Sequence, residues 1–334
     1  MASLRVPARG QGPGGGRGPM TSLGLERPWA LAVAPLAMLL LLALARRALG
    51  LARSIESSMD SAGRPRGRGL LTASLAARAA LAVTLALLAA GPYVTAVERV
   101  PVTPDSPLLA RAEAQLVLLV DVSRSMGYSL GPGGEARIEA AEEVVRGILQ
   151  SLSPGDLVTL VAFAGDAEVL YSGPAGEAAQ VLEGLSADRN YTSVGDALVT
   201  ALAIASSSGR PSAVVLISDG GNNGGTDPIE AAKRLREAGI PLLVVQVGRG
   251  ASADPALSAD IAESAGGEFR WVGEFDESTL KSLAAEAARE AKYEALRAAG
   301  RAYVEVEVSD PRTPRDLLSA ASAVLLLLAI AGGA

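Results

Sequence analysis

The sequence predicts an α/β fold with a doubly wound, mostly parallel sheet, together with three transmembrane helices. Between residues 114 and 272, short apolar runs alternate with segments of helical periodicity, which is typical of βαβ units whose sheet is covered on both faces. Outside that region, three windows lack any charged residue for 18 residues or more. At about 1.5 Å per residue each window is about 27 Å long, close to the thickness of a hydrocarbon core.

The first elements in chain order concern the membrane. Residues 1–27 are predicted to be a disordered tail, because their Gly-, Pro- and Arg-rich beginning has almost nothing to bury. Residues 28–45 and 79–97 are the first two predicted transmembrane helices, with an Arg-rich loop over residues 46–78 between them, and a third helix is expected at 317–334. A signal peptide is the alternative for the first helix, but Arg46 and Arg47 follow it instead of a small-residue cleavage site.

An α/β domain is predicted over residues 112–275. Its strands are expected at residues 115–122, 156–164, 168–171, 212–218, 241–247 and 268–272. Its helices are expected at residues 136–152, 175–185, 193–206, 228–238 and 255–265. Residues 276–315 are predicted to be a connector to the last helix, made of a helix at 279–297 and a strand at 303–308 in which Val and Glu alternate.

The composition excludes several chemistries. The 334 residues contain no cysteine and no histidine, so there is no disulfide, no zinc finger, no thiolate nucleophile and no Ser-His-Asp triad. Any metal site must be built from oxygen ligands, which favour hard cations such as Mg²⁺, Ca²⁺ or Mn²⁺.

The charge is distributed unevenly along the chain. Residues 1–97 carry 11 Arg against 3 acids, whereas the remaining residues carry 19 basic against 33 acidic side chains. The Arg residues flank apolar segments, which favours membrane topology over nucleic-acid binding. The loop 46–78 holds seven Arg against Glu56 and Asp60, so we expect this loop in the cytoplasm and the acidic domain on the extracytoplasmic side of a multi-pass cell-membrane protein.

Acidic and hydroxyl side chains lie in three predicted loops at the carboxyl ends of the strands. In an open α/β sheet the ligand crevice lies at this edge. Asp121, Ser123 and Ser125 leave the first strand of the domain, Thr192 precedes a helix, and Asp219 follows a central strand. The alternate spacing of the first three lets a turn point their oxygens toward one spot, which suits a small octahedral cation. Two carboxylates and three hydroxyls leave one metal position open for a carboxylate of a protein partner.

These residues resemble the metal-ion-dependent adhesion site of the von Willebrand factor type A (vWA) domain, written D-x-S-x-S, then Thr, then Asp. The resemblance covers about residues 112–275. It implies that Ser123, Ser125 and Thr192 coordinate Mg²⁺ or Mn²⁺ directly and that Asp121 and Asp219 act mostly through water. The expected role is therefore binding, without catalysis. The adjacent carboxylate of Asp196 is interpreted as a first-turn residue of a helix and not as a ligand.

Further motifs resemble the BatA and BatB proteins. They are Asp-Val-Ser-Arg-Ser-Met at 121–126, Arg-Ile-Glu-Ala-Ala at 137–141, Thr-Ser-Val-Gly-Asp-Ala-Leu at 192–198 and Ser-Asp-Gly-Gly-Asn-Asn at 218–223. Members of that family are implicated, with MoxR-type AAA+ ATPases, in assembling or protecting other proteins. The resemblance implies an accessory binding role for this chain. The loop 127–134 departs from the pattern because it lacks the acid often found after Ser-Met.

Two other functions remain as alternatives. Each motif taken singly also serves as a cap or turn, so the chain is alternatively a structural membrane anchor with a degenerate metal site. Residues 218–223 also resemble the last motif of haloacid-dehalogenase-type phosphatases, but Ser123 stands where such a Mg²⁺-dependent enzyme needs a second Asp. A nucleophile elbow over residues 123–127 has Ser123 where its first Gly belongs, and the chain contains no His to act as its base.

Overall fold

The computed structural model describes residues 20–56, 68–130, 134–250 and 253–331. Residues 1–19 of the predicted tail, part of the predicted Arg-rich loop and residues 332–334 lie outside these ranges. The strands in the described ranges are β1 (Met20–Leu25), β2 (Pro92–Pro101), β3 (Gln115–Asp121), β4 (Leu157–Phe163), β5 (Ala167–Pro174), β6 (Ser212–Ser218), β7 (Leu242–Val247), β8 (Glu268–Val272) and β9 (Tyr303–Asp310).

The α-helices in the same ranges are α1 (Val33–Glu56), α2 (Arg68–Ala90), α3 (Arg137–Ser151), α4 (Val194–Ser207), α5 (Pro228–Glu237), α6 (Pro255–Ala265), α7 (Glu277–Ala298) and α8 (Arg312–Ala331). Short 3₁₀ helices cover Pro28–Ala32, Pro107–Arg111, Arg124–Gly127 and Ala175–Gly184. The last of these was predicted as an α-helix. Its sequence has Gly near both ends, a residue of low helix propensity.

The chain forms two compact units, and Val100–Val304 is the larger. Its six-stranded sheet has the order β5-β4-β3-β6-β7-β8. All neighbours pair in parallel except β4 and β5, which are antiparallel. The central strand β3 is buried along its whole length, as expected for a parallel strand covered on both faces. The predicted α/β class and mostly parallel sheet are therefore confirmed.

Two apolar cores cover the two faces of this sheet, because successive strand side chains point to opposite faces. Leu116 and Leu118 of β3 pack with the apolar faces of α3 and α7, whereas Val117 and Leu119 pack with α4, α5 and α6. The sheet is thus doubly wound. The helix predicted as a connector, α7, contributes buried Leu and Ala side chains to the first core, so the folded domain extends well beyond residue 275.

The second unit contains residues up to Arg99 and from Glu305 onward. In it β1 pairs with β2 in antiparallel fashion and β9 flanks β2. The prediction of a disordered tail over residues 1–27 is therefore wrong at residues 20–25, because this segment forms backbone hydrogen bonds with a strand about 70 residues away. Among the described helices, one segment, Arg312–Ile330, is long and apolar enough to cross a membrane by length and composition. The apolar segments Pro28–Leu44 and Ser74–Ala90 are shorter.

The bounds of the three predicted transmembrane helices are wrong in several places. The helix predicted at 79–97 instead covers 68–90 and is followed by β2, because Gly91 adopts a φ of 64° and Pro92 cannot continue the hydrogen-bond ladder. The predicted loop 46–78 is helical at both ends, since Arg is a good helix former and a charge does not end a helix. The last helix begins at Arg312, five residues before the predicted start.

Candidate metal centre

The candidate site lies at the carboxyl ends of β3 and β6, the two central strands. Asp121 is the last residue of β3, and Asp219 directly follows β6. Because the two strands pair in parallel, with Val120 opposite Ile217, their ends lie at the same edge of the sheet. Both aspartate side chains are wholly buried, so the fold brings two carboxylates together out of contact with bulk water.

Asp121 is a buried carboxylate that is hydrogen-bonded but has no cationic partner. Its Oδ1 accepts a hydrogen bond from the Ser123 amide at 2.9 Å, and its Oδ2 accepts one from the Ser218 hydroxyl at 2.6 Å. Burial raises its pKa to about 6, although the hydrogen bonds from Ser123 and Ser218 act in the opposite direction. None of the ion pairs formed by the described residues includes Asp121. A buried carboxylate of this kind is suited to a bound cation.

The hydroxyls of Ser123 and Ser125 face each other directly beyond Asp121. Their Oγ atoms are 3.1 Å apart. The backbone that carries them is fixed by hydrogen bonds from the Val122 amide to the Phe163 carbonyl and from the Arg124 amide to the Arg189 carbonyl. Neighbouring oxygen ligands of an octahedral Mg²⁺ are about 3.0 Å apart. The spacing of the two hydroxyls therefore fits adjacent positions around such an ion.

Asp219, unlike Asp121, is paired with a cation. Its Oδ2 accepts a hydrogen bond from Nη1 of Arg137 at 2.7 Å, and both side chains are buried. Its Oδ1 accepts one from the Gly221 amide at 3.1 Å. The side-chain amide of Gln246 donates to the Asp219 carbonyl at 2.6 Å. The position of Asp219 is thus fixed from β7 and from α3 as well as from its own loop.

Thr192 lies in the loop before α4, which is hydrogen-bonded to the loop that follows Asp219. Its amide donates to Oδ1 of Asn223 at 2.9 Å, its carbonyl accepts from the Asn223 amide at 3.0 Å, and the Val194 amide donates to Oδ1 of Asn222 at 3.0 Å. The preceding Tyr191 has a φ of 64°, a conformation that costs a non-glycine residue energy and is typical of functional loops. Thr192 is 4% exposed, and its hydroxyl makes no hydrogen bond to any other described residue.

Asp196 is placed as predicted, in the first turn of α4. Its Oδ1 accepts hydrogen bonds from the hydroxyl and the amide of Thr226, at 2.6 Å and 3.0 Å. The bond from the Thr226 hydroxyl is the main cause of its lowered pKa. This carboxylate holds the loop after Asp219 against α4.

The donor set fits a hard cation only when hydroxyls and carboxylates act together. No group of three or more Asp, Glu, His or Cys side chains suited to a metal ion occurs among residues 20–56, 68–130, 134–250 and 253–331. Two carboxylates at one edge, a pair of hydroxyls at octahedral spacing and the Thr192 hydroxyl are the donors that remain. Mg²⁺ and Mn²⁺ take such neutral and anionic oxygen ligands.

Comparison with known proteins identifies the family. Residues 115–287 match the model of the von Willebrand factor type A domain. The chain belongs to the vWA family. The family resemblance inferred from the D-x-S-x-S residues, Thr192 and Asp219 is thereby confirmed.

Curated relatives include UPF0353 proteins of mycobacteria. The protein from Mycobacterium sp. strain KMS is 30% identical over 257 residues, which cover 69% of this chain and 71% of that protein. A UPF0353 protein from Mycobacterium avium is 31% identical over 263 residues, with 69% and 72% coverage.

Solved structures similar to this vWA protein include BatB from Bacteroides thetaiotaomicron. That match is 24% identical, covers 54% of this chain and 99% of that one, and has a TM-score of 0.44. An aerotolerance-related membrane protein from Bacteroides fragilis is 23% identical, with 53% and 98% coverage and a TM-score of 0.43.

Sequence reasoning missed the side chains that hold the five predicted oxygens in place. They are Arg137, Ser218, Asn222, Asn223 and Gln246. A signal existed for Arg137, because a basic residue at the first position of a helix opposes the helix dipole and needs a local anion. The other four could not be found without knowing which loops meet.

Proposed function

We propose that this chain binds Mg²⁺ or Mn²⁺ through Asp121, Ser123, Ser125, Thr192 and Asp219, and that the ion in turn binds an acidic group of a protein partner. The observation that carries the proposal is the wholly buried Asp121 carboxylate without a cationic partner, next to two hydroxyls 3.1 Å apart. The bound ion would supply a positive charge that attracts a carboxylate. Binding is the proposed role, and no catalytic residue is assigned.

Stabilisation by metal tests the first part. A ligand that binds the folded state stabilises it by mass action, so Mg²⁺ should raise the melting temperature of the chelator-treated protein. Asp121→Ala should remove this increase, whereas Asp260→Ala, at an exposed position of α6, should keep it. Equal melting temperatures with and without saturating Mg²⁺ in the unmodified protein would refute the metal site and favour the degenerate-site alternative.

The partner carboxylate is tested by removing single ligands. Ser123→Ala and Thr192→Ala each delete one hydroxyl without adding a charge, so the fold should remain and partner binding should fall. Purification from native membranes in Mg²⁺, and again in chelator, would reveal the proteins that bind through the ion. If the protein instead hydrolysed phosphate esters at a rate that vanished in Asp121→Asn, the phosphatase alternative would replace the binding role.

We propose further that the chain works as an accessory protein alongside a MoxR-type AAA+ ATPase. The support is the resemblance of residues 121–126, 137–141, 192–198 and 218–223 to BatA and BatB. Recovery of such an ATPase with this protein in Mg²⁺, and its loss in Ser123→Ala, would support the assignment. Equal recovery of the ATPase with the unmodified protein and with Ser123→Ala would contradict a role for the metal in that association.

The membrane proposal keeps three spanning helices, with corrected bounds. α1 and α2 have 24 and 23 residues, lengths of about 35 Å that reach across a hydrocarbon core. Leu36, Leu39 and Leu40 of α1 and Leu317 and Leu327 of α8 are each more than 60% exposed. Large aliphatic side chains exposed in this number are suited to contact with lipid. Arg46 and Arg47 follow the apolar part of α1 and can extend to the interface.

A further inference from the structure

The candidate metal centre contains a buried cation of its own. Arg137 is the first residue of α3 and is 3% exposed. Its Nη1 lies 2.7 Å from Oδ2 of Asp219 and 3.3 Å from the carbonyl oxygen of Ser125, so it links two of the five proposed ligand residues. A fixed positive charge at this point opposes a second cation.

The surroundings of Arg137 keep its guanidinium in place. Nη2 donates to the Arg249 carbonyl at 3.1 Å. Gly248 has a φ of 85°, and a Cβ atom at that residue would lie 2.6 Å from Nε of Arg137. The Tyr128 ring lies 5.8 Å from the guanidinium carbon. The close approach of the Gly248 backbone shows that the pocket is shaped around this side chain, and no rotation away from Asp219 is open in that direction.

The charges of the protein at this site do not neutralise a divalent cation. Two carboxylates and one guanidinium sum to one negative charge, so a divalent cation leaves the occupied site with one positive charge. Without Arg137 the same ligands would neutralise the cation completely. One additional anionic ligand is therefore needed for neutrality in the protein as it is.

We propose that Arg137 couples metal binding to partner binding: the site holds Mg²⁺ weakly alone and tightly together with a carboxylate of the partner. This inference rests on the proposed function. Because linkage is reciprocal, the carboxylate raises the affinity for Mg²⁺ by the same factor as Mg²⁺ raises the affinity for the carboxylate. Arg137 is a positioning and charge-setting residue and not a metal ligand.

Mg²⁺ titration of the full-length protein in detergent tests the coupling. The variants are Arg137→Met, which removes the charge, and Arg137→Lys, which keeps it, and acetate serves as the carboxylate probe. We expect Arg137→Met to bind Mg²⁺ about tenfold more tightly or better, and Arg137→Lys, which keeps the positive charge, to stay within about threefold of the unmodified protein. Acetate should increase Mg²⁺ affinity in the unmodified protein and in Arg137→Lys, and should have little effect in Arg137→Met. Unchanged or weaker Mg²⁺ binding by Arg137→Met overturns the proposal.

A second pair of variants covers the case in which Arg137→Met does not fold. Asp219→Asn alone makes the site neutral and should weaken Mg²⁺ binding. The double variant Arg137→Met/Asp219→Asn restores one negative charge with an uncharged buried pair, and should bind Mg²⁺ within a few-fold of the unmodified protein. Loss of binding in the double variant overturns the charge argument. Absence of Mg²⁺ binding in the unmodified protein is a different result, because it refutes the proposed function itself.

Discussion

Nζ of Lys292 lies 2.7 Å from Oδ2 of Asp156, and the two side chains are 4% and 0% exposed. Asp156 precedes β4 and also accepts hydrogen bonds from the Ala114 and Ser153 amides, at 3.0 Å and 2.8 Å. The pair therefore ties α7 to the amino-terminal ends of β3 and β4, the edge of the sheet opposite the candidate metal centre. It adds a buried ion pair to the apolar packing through which α7 belongs to the vWA domain.

Lys292→Met should destabilise the protein by about 3 to 5 kcal/mol, because it leaves a buried carboxylate without its partner. The double variant Lys292→Met/Asp156→Asn should recover much of this loss, since a neutral buried pair carries no unpaired charge. Denaturant unfolding of the three proteins measures the difference. The metal site should keep its Mg²⁺ affinity in both variants. A double variant as unstable as Lys292→Met alone would contradict the account based on charge.

Gly195→Ala should disturb the metal site from the side of α4. A Cβ atom at residue 195 would lie 1.9 Å from the Thr226 carbonyl oxygen, so α4 and the loop after Asp219 must separate. Thr192 lies just before α4, and Asp219 begins the loop. Overpacking of this kind lowers the free energy of unfolding by about 1 to 3 kcal/mol. We expect a lower melting temperature in chelator and a smaller increase on adding Mg²⁺. Gly176→Ala is the matched control, because its Cβ would meet nothing within 4 Å.

The α/β domain was predictable because its signals are local. The strand at 212–218 and the helix at 255–265 were placed at their observed bounds, since a buried apolar run and a Pro at the helix start mark these ends. The helices that were predicted to span a membrane were placed less well. A rule based on uncharged residues predicted that the first helix ends before Arg46, although an Arg side chain does not end a helix. The same rule extended the second predicted helix through Gly91 and Pro92.

The five proposed ligand residues were identified from their order along the chain, because each follows a strand or precedes a helix at one predicted edge of the sheet. The pairing of Arg137 with Asp219 spans 82 residues, and no local pattern gives it. A sequence alone shows which side chains are able to bind a cation. It does not show which of them is already paired with a basic side chain of the protein.

Asp121→Asn should make the metal-free protein more stable above pH 6. The pKa of Asp121 rises from 3.8 to about 6 on folding, mainly through burial, so between about pH 4 and pH 6 the folded state binds a proton that the unfolded state does not. Stability therefore falls as pH rises through this window, by about 3 kcal/mol for this one group, and stays reduced above it. Asn does not ionise, so the stability of Asp121→Asn relative to the unmodified protein should increase between about pH 4 and pH 6.

Urea unfolding in chelator at several pH values between 4 and 8 measures this effect. The difference between Asp121→Asn and the unmodified protein isolates Asp121, because the other carboxylates titrate alike in both proteins. The difference should be small near pH 4 and constant above pH 6. The same variant should lose stabilisation by Mg²⁺, so a gain in stability would accompany a loss of binding. A difference that does not change with pH would contradict the charged buried state.

Cysteine labelling in intact cells tests the proposed topology, and the chain is suited to it because it contains no cysteine. Ser61→Cys lies between the first two proposed spans, outside the described residues, and Ser207→Cys lies at an exposed position at the end of α4. Six Arg against two acids between the apolar segments Pro28–Leu44 and Ser74–Ala90 favour a cytoplasmic position for residue 61. An impermeant thiol reagent should therefore label residue 207 and leave residue 61 unlabelled until the membrane is permeabilised.

If α8 alone crossed the membrane, residues 61 and 207 would lie on the same side and would label alike. The opposite pattern, with residue 61 labelled and residue 207 protected, would place the metal site in the cytoplasm, where a AAA+ ATPase has direct access to it.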